Sequence, residues 1–240
     1  MNASAAHASN TLAGGPGGPY QAIVIGGSSG AIDVLNVLLP RLPVGLRAAV
    51  IVVLHLPRDR RSLLVDIFRP RCALPVQEAE DQQPIQAGHL YFAPPDYHLL
   101  IDSGPRLALS VDAPLHFSRP SIDVLFESAA DGYGDKLVGV LLSGANDDGA
   151  AGLAAIHAAG GYTIVQDPAT ASMPTMPQAA LDRVSRDKSG KPAAQPAAQP
   201  AAQPAANPSA QRRGDSPALH VLTPDAIAAR FVQLHAQRLL

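Results

Sequence analysis

The sequence predicts an α/β fold in three layers, built on a doubly wound, mostly parallel sheet with an inserted antiparallel hairpin. Strand-like apolar runs alternate with segments of helical spacing, which is typical of a parallel sheet covered by helices. Three of these runs end directly at polar or glycine-rich turns. Between residues 89 and 111 short segments alternate with turn residues, which indicates the hairpin region.

The elements follow one another in a regular order. Apolar runs predict strands at 22–25, 48–54, 137–142, 162–166 and 218–222. Helical spacing predicts helices at 32–39, 61–68, 121–130 and 149–159. Thr223-Pro224-Asp225 supplies an N-cap with proline at the first helical position, so a last helix is expected from there to about Leu240.

Two segments lie outside this pattern. Residues 1–19 are rich in Ala, Ser, Asn and Gly and contain too little apolar surface to order, so a disordered tail is expected. Repeats of Pro-Ala-Ala-Gln between residues 192 and 203 favour extended conformations, which predicts a low-complexity insertion at about 186–216. Strand and helix signals resume after it, so residues 20–240 are expected to form one interrupted domain.

Composition excludes several classes of protein. The net charge is −2 and Trp is absent, so nucleic acid is not an expected partner. The longest apolar runs fall short of the roughly 20 residues that cross a bilayer, so no membrane insertion is expected. A single cysteine, Cys72, and the lack of a signal peptide predict a cytoplasmic location.

A hydroxyl, an imidazole and a carboxylate follow three of the predicted strands. In an open parallel sheet the ligand crevice lies beyond the carboxyl ends of the strands, so Ser28, His55 and Asp148 can meet there. Gly26-Gly27-Ser28-Ser29-Gly30 fits the G-x-S-x-G pattern of a nucleophile elbow between a strand and a helix. The first hypothesis is therefore a serine hydrolase.

Each of these residues also has a structural interpretation. The glycine-rich turn can serve close packing alone, and a lone histidine is more often structural than catalytic. Asp147 or Asp148 could cap a helix beginning near Gly149, and Asp148 is the preferred acid of the two. Since the order along the chain is Ser, His, Asp, an ordinary α/β-hydrolase lipase or esterase is disfavoured.

A dinucleotide-binding turn is the alternative to a nucleophile elbow at this position. Residues 26–32 resemble the phosphate-binding turn of short-chain dehydrogenases. That function requires an acidic residue after the second strand, where His55 stands, and a Tyr-x-x-x-Lys pair. Tyr133 and Lys136 have the wrong spacing, so the dehydrogenase interpretation is rejected.

Four segments, taken in order, resemble the catalytic domain of the chemotaxis (CheB-type) protein-glutamate methylesterases. They are residues 25–30, 52–57, 142–152 and 172–180, with further likeness at 88–95, His98 and 119–126. The family departs from this chain at Ala31, where it has a second glycine, and at Ala145, where methionine is common. No receiver domain is expected before residue 20, and control by phosphorylation within this chain is therefore not expected.

The resemblance implies hydrolysis of glutamyl methyl esters on the cytoplasmic domains of methyl-accepting chemoreceptors, with glutamine deamidation in some members. It implies Ser28 as nucleophile, His55 as base and acid, and Asp148 as orienting acid. The backbone N–H groups of Ser29 and Ala145 are the implied oxyanion donors, and neither a cofactor nor a metal is expected. A separate regulatory protein is a second candidate partner. A catalytically silent chemosensory scaffold, and an esterase or amidase acting on another acyl substrate, stay open.

Overall fold

The computed structural model describes residues 19–188 and 218–240. Nine strands and six helices lie within these ranges. The strands are β1 (Ala22–Gly27), β2 (Ala49–Leu54), β3 (Val76–Glu78), β4 (Leu90–Phe92), β5 (His98–Asp102), β6 (Arg106–Ser110), β7 (Leu137–Leu141), β8 (Tyr162–Gln166) and β9 (Leu219–Leu222). The helices are α1 (Ala31–Leu38), α2 (Leu64–Phe68), α3 (Ile122–Tyr133), α4 (Ala150–Ala158), α5 (Thr175–Lys188) and α6 (Pro224–Ala236).

Seven strands form one sheet in the order β3-β4-β2-β1-β7-β8-β9, and each neighbouring pair in it is parallel. The chain builds outward from β1 to one edge, then returns to β7 on the other side of β1 and builds to the opposite edge. The order therefore reverses between β1 and β7, and in such sheets ligands bind beyond the carboxyl ends of the strands at this point.

Helices cover both faces of the sheet. Along β1 and β2 successive side chains point to opposite faces, and both sets are apolar, which is what a sheet buried on two sides requires. One core contains Ile23, Ile25 and residues of α1, α2 and α6. The other core contains Val24 and residues of α3, α4 and α5. The predicted three-layer, doubly wound α/β fold is confirmed.

The antiparallel hairpin pairs β5 with β6, with Leu99 opposite Leu109. It packs on α3, where Leu99, Ile101 and Leu107 belong to the same buried cluster as Leu125 and Ala129. The hairpin is thus attached to the helix whose first residues lie at the carboxyl end of the sheet.

The predicted elements agree with the structure to within a few residues, with four exceptions. Residues 89–93 were expected in the hairpin region, but β4 is a parallel strand of the main sheet beside β2. Strand β3 and helix α5 were not predicted, and α2 has only five residues. A three-residue strand carries too little periodicity to be recognised from the sequence.

The ends and the insertion fall largely outside the described residues. The expected tail at 1–19 has only Pro19 among them, and the insertion at 189–216 is not described. Residues 186–188, assigned to the insertion from the sequence, belong to α5. In the described residues, no helix is long and apolar enough to cross a membrane.

Candidate active site

Strand register brings Ser28 between His55 and Ser143. Gly27 pairs with Leu54 at the last residues of β1 and β2, so Ser28 and His55, the residues that follow, lie side by side at the carboxyl edge of the sheet. On the other side the Ser28 N–H donates to the Ser143 carbonyl over 2.8 Å. The His55 N–H donates to the Gly27 carbonyl over 3.3 Å. Ser28 therefore lies at the point where the strand order reverses.

The turn that carries Ser28 is held by its neighbours. Gly30 has φ of 82°, and a side chain there would meet Ser172 at 2.6 Å, so the turn requires glycine at this position. The buried Ser143 hydroxyl donates to the Ser29 carbonyl over 2.7 Å. Because the positive φ lies at Gly30, Ala31 begins α1 without strain, and the departure from the family at Ala31 leaves the turn intact.

His55 and Asp148 are in direct contact. Nε2–H of His55 donates to Oδ2 of Asp148 over 2.8 Å, and the Asp148 side chain is completely buried. The His55 side chain keeps 12% of its surface exposed, so the imidazole is accessible to solvent. In the described part of the chain the Ser28 hydroxyl makes no hydrogen bond, to His55 or to any other group.

Asp148 also anchors helix α3. Its Oδ2 accepts from the Ile122 N–H over 2.8 Å. Its Oδ1 accepts from the Ser121 hydroxyl over 2.8 Å and from the Asp123 N–H over 3.0 Å. The sequence left open that Asp148 caps α4, but Gly149 occupies that position and Asp148 satisfies the first N–H groups of α3 instead.

The Asp148 carboxyl is ionised. Burial alone would raise its pKa, but the hydrogen bonds from His55, Asp123 and Ile122 outweigh burial and lower the pKa below its ordinary value. An ionised carboxylate only accepts hydrogen bonds, so Nε2 of His55 carries the proton and Nδ1 presents a lone pair. The imidazole is therefore arranged to accept a proton at Nδ1.

The predicted oxyanion donors, Ser29 and Ala145, are both exposed residues at the carboxyl ends of β1 and β7. Among the described residues neither backbone N–H donates a hydrogen bond, so both are available to a ligand. Gly144 fixes the peptide before Ala145, because its N–H donates to the Met173 carbonyl over 3.1 Å and its carbonyl accepts from the Met176 N–H.

A second buried carboxyl, Asp123, lies beside the site. Its Oδ1 accepts from the Gly152 N–H over 2.7 Å, and its Oδ2 lies 3.5 Å from Nε2 of His116. Potential ligand atoms of His116, Asp123 and Asp148 lie within 4.8 Å of one another. Since each Asp148 oxygen already accepts two hydrogen bonds, we interpret this cluster as a hydrogen-bonded network and propose no metal.

Asp123 gives the protein a pH-dependent stability. Burial, opposed by the Gly152 hydrogen bond and reinforced by the Asp148 charge, raises the pKa of Asp123 from 3.8 to about 7. Between these values the folded protein keeps a proton that the unfolded chain has lost, so the free energy of unfolding falls as pH rises, by up to about 1.4 kcal/mol per unit. Asp123→Asn stays neutral and keeps an acceptor for Gly152, so its melting temperature should fall less between pH 5 and pH 8. Identical pH dependence of thermal melting in both proteins would contradict this prediction.

Ser118 and Ser121, whose side chains hydrogen-bond to the pair, and His98 behind Ser121 were not predicted as part of the site. Ser118 lies with its Oγ 3.3 Å from Nδ1 of His55. Ser121 is buried and donates to Asp148, and its N–H donates to Nδ1 of the buried His98 over 3.1 Å. Ser121 and His98 appear in the segments that resemble the family, but only the folded arrangement assigns them contacts.

Fold and site together define a class of protein. A doubly wound α/β sheet carries a histidine–carboxylate pair next to a serine in a glycine-rich turn, at the point where the strand order reverses. This arrangement is typical of hydrolases that use a serine nucleophile. Comparison with known proteins then identifies the family: the sequence model of the CheB methylesterase family matches residues 23–198, and the chain belongs to this family.

The relatives agree with this assignment. A provisionally named protein-glutamate methylesterase/protein-glutamine glutaminase of Leptospira interrogans is 44% identical over 168 residues, covering 70% of this chain and 87% of the relative. A protein-glutamate methylesterase/protein-glutamine glutaminase of Symbiobacterium thermophilum is 38% identical over 164 residues, covering 68% of this chain and 45% of the relative. The crystal structure of the Thermotoga maritima CheB methylesterase catalytic domain superimposes with a TM-score of 0.71 at 25% identity, covering 90% of this chain and 98% of the other.

Proposed function

We propose that this chain hydrolyses the methyl esters of glutamate side chains on the cytoplasmic domains of methyl-accepting chemoreceptors. The observation that carries the proposal is the His55–Asp148 pair, next to Ser28 at the carboxyl edge of the sheet, in a chain of the CheB methylesterase family. Relatives named for both activities support glutamine deamidation at the same site as a second reaction.

The proposed reaction starts at Ser28. Its Oγ attacks the ester carbonyl carbon while its proton passes to Nδ1 of His55. The resulting tetrahedral oxyanion accepts hydrogen bonds from the N–H groups of Ser29 and Ala145. His55 then returns the proton to the leaving methoxy oxygen, and methanol departs from a glutamyl-serine acyl-enzyme.

Water completes the reaction. His55 accepts a proton from the water as the water attacks the acyl carbon, and Ser28 regains its hydroxyl proton as the glutamate leaves. Asp148 keeps the imidazole in the tautomer with the proton on Nε2 and stabilises the imidazolium that forms in each step. A glutamine side chain would follow the same path with ammonia as the leaving group.

An exposed apolar segment beside the site supports a protein as the substrate. Phe117 is completely exposed and precedes Ser118, which contacts His55. An apolar groove of about 290 Å³ beside this segment is lined in part by Leu100, Leu115 and Val124. Exposed apolar surface of this kind is typical of protein interaction sites.

The experiment measures methanol release from a methyl-esterified chemoreceptor cytoplasmic fragment, in parallel with hydrolysis of p-nitrophenyl acetate. The intact protein should release methanol. Phe117→Ala should lower kcat/KM for the fragment several-fold, the usual effect of truncating an aromatic contact, and leave the small ester unaffected. Val44→Ala, an exposed apolar residue before the amino end of β2, is the matched control.

Two results would count against the proposal. A folded protein that releases no methanol from the fragment but hydrolyses other esters would favour the esterase or amidase acting on another acyl substrate. A folded protein without either activity would favour the silent scaffold. The proposed location is the cytoplasm, where the receptor domains lie, and the thiol of Cys72, which forms no disulfide, is compatible with it.

A further inference from the structure

Nδ1 of His55, the nitrogen that must accept the Ser28 proton, is already occupied. Because Asp148 is ionised and accepts from Nε2–H, Nδ1 carries the lone pair, and the Ser118 hydroxyl donates to it over 3.3 Å. A neutral imidazole nitrogen offers a single lone pair. Ser118 and Ser28 therefore compete for the same atom.

The segment that carries Ser118 is held firmly in place. A tight turn closes with the Ser118 N–H donating to the Leu115 carbonyl over 2.7 Å and the Leu115 N–H donating back over 3.1 Å. The two central residues, His116 and Phe117, have positive φ of 47° and 61°. Because both hydrogen bonds close the turn, its backbone keeps the Ser118 hydroxyl beside His55.

Arginines fix the turn on both sides. Arg119 donates to Oδ1 of Asp96 through Nε and Nη2, and to the Val111 and Asp112 carbonyls through Nη1. Arg58 donates to the Phe117 carbonyl over 3.0 Å. Because these groups hold the backbone, Oγ of Ser118 can leave Nδ1 by rotation about its own Cα–Cβ bond alone.

We propose that Ser118 is a positioning residue that holds His55 in a resting orientation, and that the Ser28 hydroxyl displaces it from Nδ1 before attack. The proposal rests on the proposed roles of Ser28 and His55. It accounts for two observations together: the hydrogen bond from Ser118 to His55 and the Ser28 hydroxyl that makes none in the described part of the chain. Replacing the Ser118 hydroxyl by the Ser28 hydroxyl at Nδ1 of His55 requires no movement of the strands.

The test compares wild type, Ser118→Ala and Ser118→Thr by the rate at which a fluorophosphonate probe labels Ser28. Labelling reports the serine–histidine pair without requiring a receptor to dock. Removing one competing hydrogen bond should speed labelling about fivefold in Ser118→Ala. Ser118→Thr retains a hydroxyl and should label at close to the wild-type rate, and thermal melting of both variants checks that the fold is kept.

The outcomes separate this proposal from the proposed function. Slower or unchanged labelling of Ser118→Ala would overturn the competition. Labelling would slow if the Ser118 hydroxyl assisted His55, and it would not change if the hydroxyl only packed against the imidazole. Peptide mapping that finds the probe on Ser118 would overturn both the competition and the role of Ser28. Faster labelling at Ser28 without methanol release from the receptor fragment would support the positioning role and refute the proposed substrate alone.

Discussion

Ser28→Ala should abolish methanol release from the methylated receptor fragment. The alanine leaves no oxygen to form the acyl-enzyme, and removing the nucleophile of a serine protease triad costs a factor on the order of 10⁶ in kcat. The fold should be unaffected, because the Ser28 side chain makes no hydrogen bond within the described residues and its backbone contact with Ser143 does not depend on it. The measurement is the rate of methanol release at saturating fragment, with thermal melting alongside.

A matched variant tests whether the loss is specific to this hydroxyl. Ser103→Ala makes the same chemical change at an exposed turn between β5 and β6 and should leave methanol release unchanged. Substantial methanol release by folded Ser28→Ala would contradict the nucleophile role. Ser118, the other hydroxyl near Nδ1 of His55, would then be the first candidate nucleophile.

The fold was largely predictable because its central strands are buried on both faces. In β1 and β2 every residue is buried, so the sequence has uninterrupted apolar runs with polar turns after them. Helix α6 was predictable at its start, where the Thr223 hydroxyl accepts from the Ala226 N–H. Strand β4 was misassigned because Leu90–Phe92 is followed by a proline turn and lies next to a true hairpin, and nothing local distinguishes a parallel partner from an antiparallel one.

The site was predictable only where it follows strand ends. Ser28, His55 and Asp148 follow β1, β2 and β7, and the common edge of a parallel sheet brings such residues near one another. The structure places His55 and Asp148 in contact, while the catalytic roles stay predictions. Ser118 approaches His55 from a loop that is 63 residues distant in sequence, and no periodicity or motif spacing encodes such a contact.

Asp148 links the fold to the site, because the same carboxylate orients His55 and accepts hydrogen bonds from the first residues of helix α3. Four donors share its two oxygens: the His55 imidazole, the Ser121 hydroxyl and the Ile122 and Asp123 N–H groups. Asp148→Asn replaces one oxygen with an NH₂ group. This group then faces N–H or O–H donors that it cannot accept from, and the negative charge is lost. We therefore expect a loss of both activity and stability.

For Asp148→Asn the loss in kcat should be on the order of 10⁴, the effect of the same change in a serine protease triad. The free energy of unfolding should fall by about 1–3 kcal/mol, because at least one buried donor at the start of α3 loses its acceptor. Asp147→Asn is the matched control: this side chain is 65% exposed and, within residues 19–188 and 218–240, forms an ion pair only with His116, so both losses should be small. Methanol release and urea unfolding measure the two effects.

A larger loss in Asp147→Asn than in Asp148→Asn would move the orienting role to Asp147. A loss of activity without a loss of stability would show that Asp148 orients His55 but does not stabilise the start of α3.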